Sequence, residues 1–222
     1  MDYKYLYMKI FVYHIIFLLF ISSFILAQEK GFSLQNGDLI FQEACSGNMN
    51  KAIKEVTSGI EGYNFTHVGM VWIDSLGKTY VIEATHPRVC ITPLQEFLYP
   101  KDQLCPPKSV VGRLKEAYQP LIPLSIEEAK KQVGKEYDDA FDLNNDQYYC
   151  SELIYWALYK ANQNKDVFPL NTMTFKSSPN GAYAPYWLEH FKKLQIPVPE
   201  GQLGINPGAM SRSDVISIVY YY

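Results

Sequence analysis

Apolar and polar positions along the chain alternate in two different rhythms, and each rhythm marks its own kind of element. Thr66 to Ile73 (THVGMVWI) and Lys78 to Ala84 (KTYVIEA) are rich in β-branched and aromatic residues. Asp74-Ser75-Leu76-Gly77 between them is a turn signal, so the pair predicts a β-hairpin. Gly37-Asp38-Leu39-Ile40-Phe41 reads as a turn running into a short apolar strand, and Val89–Thr92, Ser109–Leu114 and Val215–Tyr220 as further strands. Short strands linked this way predict an antiparallel sheet. The other rhythm is helical. Leu153, Ile154, Ala157, Leu158 and Ala161 share one face of a helix expected from about Tyr149 to Ala161. Ser125-Ile126-Glu127-Glu128 has the form of a capping box, opening a helix that Gly134 would stop. Two more helices are expected around Met49–Thr57 and Tyr186–Leu194, and Pro197, Pro199 and Pro207 predict a loop before the last strand.

The chain has 222 residues and shows no internal repeat, low-complexity tract or linker. Its first segment reads as an address. Lys4 and Lys9 precede an uncharged run from Ile10 to Leu26, and small Ala27 comes before polar sequence, the order of a secretory signal. The expectation is a signal peptide over 1–27 and one domain over 28–222, exported to the periplasm or secreted, with no stable membrane span after cleavage. Ile25 fits the cleavage pattern poorly, so an uncleaved anchor is the alternative. Setting aside Asp2, Lys4 and Lys9 leaves 18 basic against 22 acidic residues, a net charge of −4. A mildly acidic chain without basic runs argues against nucleic acid as a partner.

Four cysteines are present, Cys45, Cys90, Cys105 and Cys150. An exported chain can form disulfides, and no C-x-x-C pair points to zinc or to a redox motif. If Cys150 stays a free thiol, one bridge at most remains, and Cys90–Cys105 is the first pairing to test.

Cys150 is the candidate nucleophile. It sits near the start of its helix on the apolar stripe, with Asn144, Asn145 and Asp146 as candidate caps. Unpaired amides and the helix dipole there favour a thiolate and could bind an oxyanion. A buried structural cysteine fits the same position. His67 shares a strand face with Gly69 and Val71, whereas Val68, Met70 and Trp72 form the apparent core face. It is the candidate base, or else a partly exposed strand histidine. A three-residue hairpin loop with left-handed Gly77 pairs residues whose numbers sum to 152, which puts Glu83 on the His67 face and within side-chain reach, whereas a loop of two or four residues sends it to the other face. A carboxylate there would orient the imidazole. His86, before Pro87, competes for that third role. Glu152 reads as a carboxylate favouring the helix dipole or bonding a nearby loop. Asp142, Asn144 and Asp146 begin like a calcium loop, but Gln147 and Leu153 stand where Gly and Glu are needed, so no metal is expected.

Gly37-Asp38-Leu39-Ile40-Phe41, Thr66-His67-Val68-Gly69-Met70 with Val81-Ile82-Glu83-Ala84, and Tyr148-Tyr149-Cys150-Ser151-Glu152-Leu153 together resemble the circularly permuted NlpC-type papain-like cysteine hydrolases, the YiiX/YaeF-like group. Histidine before cysteine is the reverse of the ordinary papain-like order. The resemblance implies an α+β, papain-like fold, its cysteine-bearing helix packed on an antiparallel sheet. It implies a cysteine amidase or peptidase with catalytic Cys150, His67 and Glu83, no cofactor, and an acyl-enzyme intermediate. Relatives suggest a small peptide or acyl substrate such as cell-wall fragments. The related lecithin:retinol acyltransferase-like branch suggests lipid acyl groups instead, and a non-catalytic binding module is the third reading. Y-C-S-E here, against N-C-E-H in that branch, favours the amide.

Overall fold

The hairpin loop sets the register from which the rest of the sheet is built. In this computed structural model, which describes residues 31–101, 104–177 and 181–222, Gly77 takes φ 80° and Gly77 N donates to Asp74 O at 3.0 Å. Strands β2 (His67–Ile73) and β3 (Thr79–Thr85) then pair Met70 with Ile82 and Val71 with Val81, the sum of 152 expected from a three-residue loop. Strands β1 (Leu39–Glu43), β4 (Arg88–Pro93), β5 (Lys108–Leu114) and β8 (Ile216–Tyr221) complete a six-stranded antiparallel sheet in the order β4-β3-β2-β1-β5-β8. The proposed signal peptide lies outside the described residues.

Both faces of the sheet are covered, which corrects the expectation of a single core face. Val68, Met70, Ile82 and Ala84 pack with Leu153, Ile154 and Leu158 of helix α4 (Cys150–Ala161), backed by α3 (Ile122–Lys130). On the other face Gly69 and Val71 are also buried, beneath Phe97 and Leu98 of the short helix α2 (Leu94–Leu98). The space left by Gly69 is already used: a Cβ there would lie 2.3 Å from Val81 Cγ1 and 3.1 Å from Phe97 Cε2. Helix α1 (Asn48–Val56) and helix α5 (Pro185–Leu194) match the expected amphipathic segments. Strand β7 (Leu203–Gly204), which pairs with β6 (Asn171–Thr172) in a two-stranded ribbon, and the short helix α6 (Pro207–Ser211) occupy sequence expected to be loop. Their side-chain pattern is too short to show a period.

Two local expectations change. Helix α3 begins at Ile122, with Pro123 in its first turn, so Ser125 lies inside it and donates back to Ile122 O at 2.9 Å instead of capping. The disulfide joins Cys45 to Cys105, and Cys90 is free. The reason is the sheet order: β1 neighbours β5, with Glu43 opposite Lys108, so the residues just beyond those strand ends meet. Cys90 lies on β4, at the far edge. At the start of β1, buried Asp38 takes two bonds from Arg113, 2.7 Å from Nε and 2.8 Å from Nη2, tying the turn to β5. Fork-to-carboxylate pairing of this kind compensates a charge that burial would otherwise penalise.

Candidate active site

Three elements converge at one end of the sheet. Helix α4 presents Cys150 in its first turn, 4% exposed. Strand β2 presents His67 as its first residue, and β3 presents Glu83 diagonally across from it. His67 Nε2 donates to Glu83 Oε2 at 2.6 Å, with the two side chains 21% and 8% exposed. The Cys150 thiol lies close to the same ring and acts on its charge. Phe97 packs on the ring at 5.6 Å between centroids and limits its tilt.

The electrostatics favour a charged ring. Burial alone would push the imidazole below its ordinary 6.5; hydrogen bonds to Cys150 and Glu83, and their charges, override this and lift it to about 10. An imidazolium at neutral pH is the partner a thiolate needs. Glu83 is itself held. Thr92, on β4, donates its hydroxyl to Glu83 Oε1 at 2.5 Å, leaving Oε2 for His67. Cys90 pairs with Glu83 across the strands, and its sulfur lies 3.4 Å from Thr92 Oγ1. Burial and the Glu83 charge push the Cys90 thiol up, so it stays protonated.

His86 does not take part in this cluster. It is half exposed, bonds Asp139 Oδ1 at 2.9 Å and packs over the Tyr137 ring. Asn144, Asn145 and Asp146 do not cap α4 either. Asn145 bonds buried Asp138, Asp146 pairs with Lys135, and the cap is Tyr149, whose amide donates to Glu152 Oε2 at 3.1 Å. Glu152 is fully buried, and burial lifts its carboxyl to about 9, with the Asp138 charge adding to the rise. It is therefore neutral at pH 7, not the charged dipole partner expected. Protonated, it adds no negative charge beside the sulfur.

Two residues near the chemistry carried no signal in the sequence. Thr92 reads as an ordinary strand threonine, and only the β3–β4 register brings it to Glu83. Tyr137 lies in a segment without periodicity. Burial and then the Cys150 charge push its phenol well above the ordinary range, so it remains a donor close to the sulfur. Among the described residues its hydroxyl has no hydrogen-bond partner.

Two cavities meet at this cluster, sharing Ile53, Thr66 and Tyr137. One, of about 630 Å³, reaches past His67, Glu83 and Thr92; the other, of about 210 Å³, lies beside Cys150. Among the described residues no group of three or more His, Cys, Asp and Glu side chains is arranged to hold a metal ion.

Comparison with known proteins agrees with this architecture. YiiX of Escherichia coli (strain K12), described as an uncharacterized protein, is 33% identical over 150 residues, spanning 64% of this chain and 66% of YiiX. The match therefore covers just under two thirds of that relative. The crystal structure of metalloprotein YiiX from Escherichia coli O157:H7 superposes with a TM-score of 0.69 at 24% identity, over 86% of this chain and 99% of that one, and shows the same fold. The family model of the permuted papain-like amidase enzymes, YaeF/YiiX, matches residues 33–220. An antiparallel sheet bearing His67, the cysteine at a helix mouth and this match over nearly the whole chain lead to one assignment: the chain belongs to the C92 family of permuted papain-like amidases.

Proposed function

We propose that the protein is a thiol amidase in which Cys150 attacks a carbonyl carbon, His67 moves the proton and Glu83 orients His67. The observation that carries this reading is the single ring that bonds Glu83 at 2.6 Å and has the Cys150 thiol close enough to raise its affinity for a proton. The thiolate adds to the carbonyl, and the oxyanion that forms faces the unpaired amides at the start of α4 and the Tyr137 hydroxyl. Collapse of the tetrahedral intermediate breaks the C–N bond as the imidazolium gives its proton to the leaving nitrogen. Water, deprotonated by the now neutral ring, adds to the thioester, and breaking the C–S bond releases the acid and restores the thiolate beside the imidazolium. Through all of this Glu83 stays a carboxylate acceptor and fixes which nitrogen faces the sulfur.

The proposed substrates are amide bonds in peptides, cell-wall peptides among them, and the proposed site of action is outside the cytoplasm. Basic Lys4 and Lys9 before the apolar run to Leu26 support export, as does the Cys45–Cys105 disulfide, a bond that reducing compartments disfavour. The test is iodoacetamide at pH 6 followed by mass spectrometry. Selective labelling of Cys150, lost in His67→Ala, is expected; equal labelling of Cys90 and Cys150 would refute the ion pair. Cys150→Ser, nearly isosteric, is expected to fold and to release no product from purified cell-wall fragments. Turnover by that variant would end the nucleophile assignment, and cleavage of acyl lipids but not of wall fragments would move the substrate to the lipid class.

A further inference from the structure

The two cavities differ in chemistry as well as in volume, and the direction of proton transfer gives each a role. In the proposed reaction the leaving nitrogen takes its proton from His67, so the amine half departs on the His67 side. The acyl half stays on the sulfur and must be housed on the Cys150 side. The cavity of about 630 Å³ lies on the first side and is lined by His67, Glu83, His86, Glu96 and Lys101, a wall of titratable groups. The cavity of about 210 Å³ lies on the second, where Val56, Phe141, Met173, Phe175, Trp187 and Ile205 line it together with neutral polar side chains. Among the described residues Arg212, exposed and bonded to Ser58 Oγ at 3.0 Å, is the one Lys, Arg, Asp or Glu that lines it.

We infer that the smaller cavity is the acyl-side specificity pocket, and that it selects amides whose acyl residue carries a compact, uncharged apolar side chain, with the polar half of the substrate leaving through the larger cavity. The inference rests on the proposed nucleophile and narrows its substrate class. Burying an ammonium here would leave the charge without a charged partner, a carboxylate would find only the exposed Arg212, and an apolar side chain gains by leaving water. The volume sets the other limit. About 210 Å³ takes one side chain, and by liquid volume about seven waters at about 30 Å³ each, which is far short of a long acyl chain. The rigid wall follows from the packing behind it: Phe175 and Trp187 meet edge to face at 5.0 Å, and Phe141 packs on both.

The test uses three aminoacyl chloromethyl ketones, with leucine, lysine or aspartate side chains, and intact-mass readout of Cys150 alkylation, with iodoacetamide as a probe without a side chain. The leucine reagent is expected to react at least about tenfold faster than the other two, relative to iodoacetamide. Val56→Asp, a change on a half-exposed wall position, is expected to shift the preference towards the lysine reagent. Thr172→Arg, at an exposed position of the same cavity, is expected to slow the leucine reagent without slowing iodoacetamide, and serves if the first variant misfolds. Brisk iodoacetamide labelling with equal rates for all three ketones overturns the pocket assignment alone. No labelling by any reagent overturns the nucleophile, and this inference with it.

Discussion

Glu152→Gln isolates the consequence of placing a carboxyl in the core two residues after the proposed nucleophile. The carboxyl is fully buried and lifted from 4.5 to about 9. An acid whose folded-state value lies above its unfolded one binds more protons when folded, so stability falls as pH rises from the unfolded value towards the folded one. At about 1.4 kcal/mol per unit, the penalty is about 1 kcal/mol at pH 5 and about 5 kcal/mol at pH 8. The glutamine amide keeps an oxygen for the Tyr149 amide, now 3.1 Å from Glu152 Oε2, and has no proton to lose. At about 2–4 °C per kcal/mol for a domain of this size, the wild type is expected to lose about 10 °C of Tm between pH 5 and pH 8 relative to the variant. Differential scanning fluorimetry at both pH values reads this directly, and groups that titrate alike in both proteins, His67 included, cancel in the comparison. Equal pH slopes for the two proteins would refute the protonated carboxyl.

Three more outcomes follow from the same geometry. The His67 ring, lifted to about 10, is expected to give imidazolium nitrogen shifts in NMR at pH 8, and the stability it confers is fully present below about 6.5 and lost as pH rises through about 10; a neutral ring at pH 8 would contradict this. Glu83→Gln is expected to lower kcat/KM by less than His67→Ala, because the first weakens orientation and the second removes the base; the reverse order in a peptide-amide assay would contradict the roles. Thr92→Val removes a hydrogen bond to a carboxylate, in the class that contributes about 1.5–3 kcal/mol, and is expected to lower kcat/KM by about tenfold and slow Cys150 labelling at pH 6. Thr92→Ser is expected to restore both, and equal values for the valine and serine variants would refute a positioning role.

How much of this was legible in the sequence depends on whether the information was local. The meeting of His67 and Glu83 was readable, because one short loop with Gly77 sets the hairpin register and register sets the face. Cys150 at a helix start was readable from the apolar stripe that follows it. The Cys45–Cys105 pair was not, because it needs β1 to lie beside β5, and no pattern within either strand records its neighbour. Thr92 and Tyr137 were hidden for the same reason. Each acts through a contact made only once distant segments have docked. The neutral state of Glu152 was hidden differently, since its residue type predicts charge and only complete burial reverses that.

The disulfide divides the cluster by chain topology. The segment it closes, with a sequence separation of 60, contains His67, Glu83 and Thr92 and leaves Cys150 outside. Tethering a segment of that length removes enough freedom from the unfolded chain to favour the native state by about 4 kcal/mol. Thiol reductants, the usual safeguard for a cysteine nucleophile, therefore act on this protein in opposite senses: they preserve the sulfur proposed to attack while releasing the tether around the groups proposed to move its proton.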